Sequence, residues 1–204
     1  MFANNYIEKL TSNPKYKLMI ALPTGGIVTG YMKDDLALSI NSEYNSPFEL
    51  SQTGGVSDML EKASGMFGAS MSLKTVAESK LLWKSSSMSP IQVTFSIVAL
   101  NPGDDVREKV RTLSKAVFPT SDGVGGTLKA PMGYAPGMPT SKPVNTVSMK
   151  IGSWFNASYL VIRGLNPTFS KDVIKSGLPL YVDISLTLEP SLQLTQDDFI
   201  AWIS

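Results

Sequence analysis

The chain has 204 residues, 43% of them hydrophobic and 17% charged, with a net charge of +1 and neither histidine nor cysteine. Without those two residue types it lacks the usual near-neutral general base, thiol nucleophiles, imidazole and thiolate metal ligands, and any Ser-His-Asp triad. Near-neutrality also excludes the strong positive field by which nucleic-acid and anionic-lipid binders gather their partners.

This length carries one domain, 1–204, that buries enough surface to need no staples. The charged share is low, and Ser, Thr, Asn, Gly and Pro fill the gap, which favours strands and turns over surface helices. No apolar run approaches the roughly 20 residues that cross a bilayer. The first residues, MFANNYIEKL, lack a charged start followed by a long apolar run. Synthesis in a cytoplasm is expected, with no membrane partner.

In chain order, Phe2, Tyr6, Ile7 and Leu10 fall on one stripe of a short helix that Pro14 ends. Tyr16, Leu18, Ile20 and Leu22 share a strand face; Pro23-Thr24-Gly25-Gly26 is a turn, and the extended run 27–32 completes a hairpin. Leu36, Leu38 and Ile40 alternate as a third strand. Residues 54–72 have helical spacing at Met59, Leu60, Ala63 and Phe67. A strand holding Trp83 is expected over 76–84, then a polar turn at 85–90. Ile91, Val93, Phe95 and Ile97 alternate with Gln92, Thr94 and Ser96.

Val106, Val110, Leu113 and Val117 repeat at helical period, with Asp104 and Asp105 at the positive end of the dipole and Pro119 as the stop. Arg107, Lys109, Arg111 and Lys115 occupy the other faces of this helix. They read as a solvated face, or as a docking face for an acidic neighbour through Arg107 and Arg111.

Residues 118–147 hold five prolines and five glycines, a long loop of the kind that is functional or disordered. Its apolar anchors Leu128, Met132, Tyr134 and Met138 distinguish it from a linker, and Met132, Tyr134 and Met138 are candidate contact residues. Two further strands follow, one around Met149 and one over 159–165. Leu180, Val182, Ile184, Leu186 and Leu188 then alternate with Tyr181, Asp183, Ser185 and Thr187. Thr195 and Asp198 form a variant capping box for a last short helix, with Leu194 and Phe199 placed as a hydrophobic staple. With a single convincing crossover helix, antiparallel pairing is favoured: a mainly β α+β barrel or sandwich.

The sequence carries no motif that points to a specific chemistry. GVGGT at 123–127 lacks the strand-then-helix setting of a dinucleotide loop, and Pro14 breaks the Ser12-x-x-Lys15 spacing. The adjacent pairs Asp34-Asp35, Asp104-Asp105 and Asp197-Asp198 do not face each other, and suit turns and caps. Asp183 interrupts an otherwise small-polar strand face, which suits an exposed, interface or channel position. No enzyme activity and no cofactor are expected. Trp83, Trp154 and Trp202 read as core anchors, or as sugar-stacking residues if the chain is a monomeric β-rich ligand-binding module.

Residues 154–190 run through Asn-Pro-Thr-Phe-Ser and Gly-Leu-Pro-Leu-Tyr into an alternating strand that closes in Glu-Pro. With Gly177, Pro179, Tyr181, Glu189 and Pro190 at the matching positions, this segment resembles the tail-tube initiator, or tube-cap, proteins of contractile-tail (myovirus) bacteriophage baseplates, relatives of the tail tube protein. The resemblance implies two packed antiparallel sheets, a sandwich or half-barrel with a flanking helix, as in tail-tube folds. It further implies a ring of six identical copies in the virion, between the baseplate hub protein and the tail tube protein. That ring would template tube growth and surround a channel crossed by DNA or a tape-measure protein without sequence-specific binding. Tyr181, Asp183, Ser185 and Thr187 are the lumen-facing candidates. The tube protein itself and a secretion-system tube homologue share the same expectations.

Overall fold

The computed structural model describes residues 16–45, 81–101, 103–121, 126–137 and 141–203. The helices expected over 2–11 and 54–72, and Met138, lie outside them. The described residues fall into two compact units, cut at Ser39/Ile40 and Ser87/Met88.

The larger unit is a closed barrel of six antiparallel strands, each hydrogen-bonded to the next around the ring. β1 (Lys17–Ala21) and β2 (Ile27–Met32) form the expected hairpin. Its turn is closed by Leu22 N–H on the Gly26 carbonyl at 2.8 Å, and Gly25 takes a left-handed φ of +83° that a side chain would oppose. β5 (Ile91–Val98) and β10 (Tyr181–Pro190) pair through eight residues. β8 (Val147–Ile151) joins β1 to β9 (Phe155–Phe169), and β9 returns along β10.

The alternation read from sequence is the barrel's inside. Leu18, Ile20, Phe95, Met149, Phe155, Ile184 and Leu186 are all fully buried. Each such side chain removed from water contributes roughly 1.5–3 kcal/mol. The two-packed-sheets form of the expectation is replaced by one sheet closed on itself. Period-2 patterning puts the same residues inside either architecture, and only the β1–β8 and β2–β5 pairings distinguish them.

The β2–β5 seam is narrow, with Tyr31 opposite Ser96 and Met32 opposite Phe95. It depends on Gly30. A Cβ there would lie 2.5 Å from Phe95 Cδ2 and 2.9 Å from the Ser96 carbonyl oxygen.

α1 (Val106–Ser114) is shorter than the expected run. Its Asp105 N-cap accepts from Arg107 N–H at 2.9 Å, while Asp104 caps the preceding turn by accepting from Leu100 and Asn101 N–H. Val106 and Leu113 are buried and Val110 and Val117 half-buried, which is the predicted stripe. α2 (Gln196–Trp202) carries the predicted capping box in full, and buries Trp202 edge-on to Phe155 with centroids 6.3 Å apart.

Two segments depart from the sequence reading. The strand expected from Leu36 begins only at Ile40; Leu36 and Leu38 instead pack half-buried on the barrel core. β9 runs on through Asn166-Pro167-Thr168-Phe169, well past the expected 159–165. It does so because β10 pairs with it as far as Phe169.

The smaller unit is a two-stranded ribbon, β3 (Ile40–Asn45) and β4 (Leu82–Met88). The expected polar turn at 85–90 is strand as far as Met88, with β4 side chains bonded across the ribbon: Ser86 with Ser42 at 2.8 Å, and Lys84 to Glu43 at 2.8 Å. The hydrogen bond from Lys84 holds the Glu43 carboxyl below its usual range. Tyr44, Leu82 and Trp83 are exposed.

Candidate assembly surfaces

The outer face of β5, β10 and β9 forms a wall of short polar side chains. Register fixes three rows across it: Ser96–Asp183–Thr168, Thr94–Ser185–Asn166, and Gln92–Thr187–Gly164. Three of the four lumen candidates, Asp183, Ser185 and Thr187, stand in these rows, and Tyr181 follows opposite Val98. Ser185 is exposed and the other three half-buried.

Asp183 is the sole formal charge in the three rows, and it is matched. Lys33 Nζ donates to Asp183 Oδ2 at 2.7 Å, and the fully buried Ser96 hydroxyl donates to Oδ1. Hydroxyls and amides can exchange hydrogen bonds with water, and the three rows contain no cation that would hold a polyanion. The bonds of Asp183 to Lys33 and Ser96 carry no local sequence signal, although alternation places Ser96 on the outer face. A buried serine on the outer side of a strand has no signal in alternation, and Lys33 reaches Asp183 across 150 positions of sequence.

A second surface lies where the Gly/Pro segment meets β9. The segment's described residues form local structure: β6 (Thr120–Ser121) pairs with β7 (Leu128–Lys129), a 3₁₀ turn spans Pro131–Gly133, and Ala135 bridges Val144. Met132 and Tyr134 come together in the wall of a groove of about 380 Å³, with Val147, Leu160, Arg163 and Glu189 among the residues opposite. Asn145 Nδ2 ties the groove's edge by donating to the Gly133 carbonyl at 2.9 Å. Met132, Asn145 and Tyr159 carry left-handed φ values of 51°, 57° and 59°, and all three lie in or next to this lining.

β9 has two irregularities beside the groove. Its register with β8 shifts between Val147 and Met149, and its register with β10 shifts so that Arg163 is the extra residue. A bulge re-aims the inserted side chain; Arg163 Nε accordingly reaches Glu189 Oε2 at 3.0 Å. The groove's charged pair was unreadable in sequence, because the bulge that makes it is a property of pairing.

The helix face separates. Arg107 is held by Asp105 through Nε at 2.9 Å and Nη2 at 2.9 Å, and this contact keeps the Asp105 carboxyl below its usual range. Arg111 stays largely exposed, 3.6 Å from Glu108. Of the two arginines expected on this face, Arg107 is thus engaged by the cap of its own helix and Arg111 is the more exposed.

Of the positions that carried the phage resemblance, Gly177 holds a φ of +78° and closes a turn by donating to the Ile174 carbonyl at 2.9 Å. Pro179 bridges Val173, and Glu189 is the Arg163 partner. Among the described residues no three acidic side chains converge as a metal site, and no helix is long and apolar enough to cross a membrane. No protein-family profile and no curated protein matches the chain.

Proposed function

We propose that this protein is a structural subunit of a contractile phage-type tail. Copies form a ring, six by the resemblance, that joins the baseplate hub protein to the tail tube protein and templates tube growth. The observation that supports this best is the outer wall of β5, β10 and β9, in which nine register positions carry one carboxylate, and that one is ion-paired. A wall of this kind suits a water-filled channel through which DNA or a tape-measure protein passes without being held. The barrel supplies the rigid tail-tube-like body behind the wall, and the groove at Met132 and Tyr134 is the candidate contact between neighbours. Templating follows from the cost of ordering a first ring: free tube subunits add where neighbours already share that cost. The expected location is the virion tail, assembled in the host cytoplasm, with no catalytic step and no cofactor.

Electron microscopy of the purified chain, alone and mixed with candidate hub and tube proteins, tests this reading. Rings with the Ser185 face on the central hole are expected. A particle that stays monomeric in every mixture ends the proposal. The exposed Trp154 favours one alternative, a β-rich ligand-binding module. That alternative requires a monomer that titrates a small ligand to saturation and loses it on W154A.

A further inference from the structure

The hydrogen-bond phase of β10 is fixed by the residues at its head. Ala99 N–H donates to the Leu180 carbonyl at 2.9 Å on one side, and Ser170 N–H to the Tyr181 carbonyl at 3.0 Å on the other. Bonded and non-bonded pairs alternate along an antiparallel ladder. Carried along the two registers, even-numbered residues of β10 bond to β5 and odd-numbered ones to β9. On β9, Gly164, Asn166 and Thr168 therefore turn their main-chain groups to β10. Leu165, Pro167 and Phe169 turn theirs to the opposite edge.

β8 accompanies β9 only as far as Leu160. Among the described residues no strand lies along the opposite edge from Leu165 to Phe169, and Asn166 to Phe169 are all exposed. Phe169 is 42% exposed, so the open stretch is partly apolar. Unpaired, extended and partly apolar edges are templates for strand addition. Pro167 stands at the centre of this one, at a position whose N–H would point outward. Within the chain the proline costs nothing, since Ile184 opposite it spends its main-chain groups on Phe95 of β5.

We infer that Pro167 is an edge block. It removes the central outward donor and prevents β9 from taking a strand of a second copy, so copies of this chain do not grow edge to edge through this strand. This role is independent of the tail reading and holds for whatever the chain assembles into.

The test restores the donor. P167V returns an N–H with a strand-favouring side chain, and P167K returns the N–H with a charge that itself discourages edge pairing. In light scattering after size-exclusion chromatography, P167V is expected to form species larger than wild type that grow with concentration. Amide exchange at Leu165 and Phe169 in that variant should slow by about tenfold or more. P167K should match wild type. A P167V protein with wild-type circular dichroism and wild-type oligomeric state at every concentration overturns the inference. Should P167V not fold, exchange in the wild-type chain decides: fast amides at Leu165 and Phe169 support the open edge, and protected ones overturn it.

Discussion

Lys33, the first residue after β2, donates to the Asp183 carboxylate near the start of β10 at 2.7 Å, spanning β5 between them. The same carboxylate accepts from the buried Ser96 hydroxyl, so one acid serves both an exposed cation and an interior donor.

The two partners should differ in cost. K33A removes a partly exposed ion pair, worth about 0.5–1 kcal/mol. D183A strands the buried Ser96 hydroxyl as well, which costs about 1–3 kcal/mol. Urea denaturation of both variants checks the order; a K33A protein less stable than D183A contradicts the network described.

Gly30 should be the least replaceable glycine of the barrel. G30A drives a methyl against Phe95 and the Ser96 carbonyl, an overpacking cost of about 1–3 kcal/mol at the seam that closes the sheet. Gly103 has nothing within 4 Å of a built Cβ and no left-handed φ, so G103A should be neutral or stabilise slightly. Thermal melts in which the two variants behave alike would remove Gly30 from its role in closure.

Docking of α2 should weaken in acid. Hydrogen bonds from the Thr195 hydroxyl and N–H hold the Asp198 carboxyl below its usual value. A depressed folded pKa means that the fold favours the ionised form. The stabilisation is complete above the unfolded value of about 3.9 and drains away as pH falls through the lower folded value. In a W83F/W154F protein, whose remaining Trp202 is buried, fluorescence should shift red below about pH 4. T195A, costing about 1 kcal/mol of capping, should move that transition to higher pH. Fluorescence independent of pH down to pH 2 would refute it.

The absence of cysteine permits single-thiol labelling of the wall. S185C should react freely with small and bulky maleimides in the isolated chain, because Ser185 is exposed. In assembled particles a lumen position keeps its reactivity to the small reagent and loses it to the bulky one. Loss of both would make the wall an interface between subunits.

Much of this was legible in local sequence. The inward residues of β5, β8 and β10 follow from strict alternation, since a half-buried strand allows no other placement of its apolar side chains. The α1 stripe and the Thr195–Asp198 box follow from helical period and capping chemistry, which involve neighbours within one turn. Met132 and Tyr134 stood out because apolar residues in a Gly/Pro-rich segment need something to pack on.

Other features were set by pairing between distant segments. Whether the strands face a second sheet or close into a barrel rests on β1 meeting β8 and β2 meeting β5, and alternation is identical in both cases. The bulge that aims Arg163 at Glu189, the burial of Ser96 beneath its strand neighbours, and the outward phase of Pro167 arise from register, which no local window contains. Composition and period thus determined which residues lie inside and which local caps form. Long-range hydrogen-bond registry alone decided how the sheet closes and which main-chain and polar groups are left facing out, because those depend on which strand lies alongside.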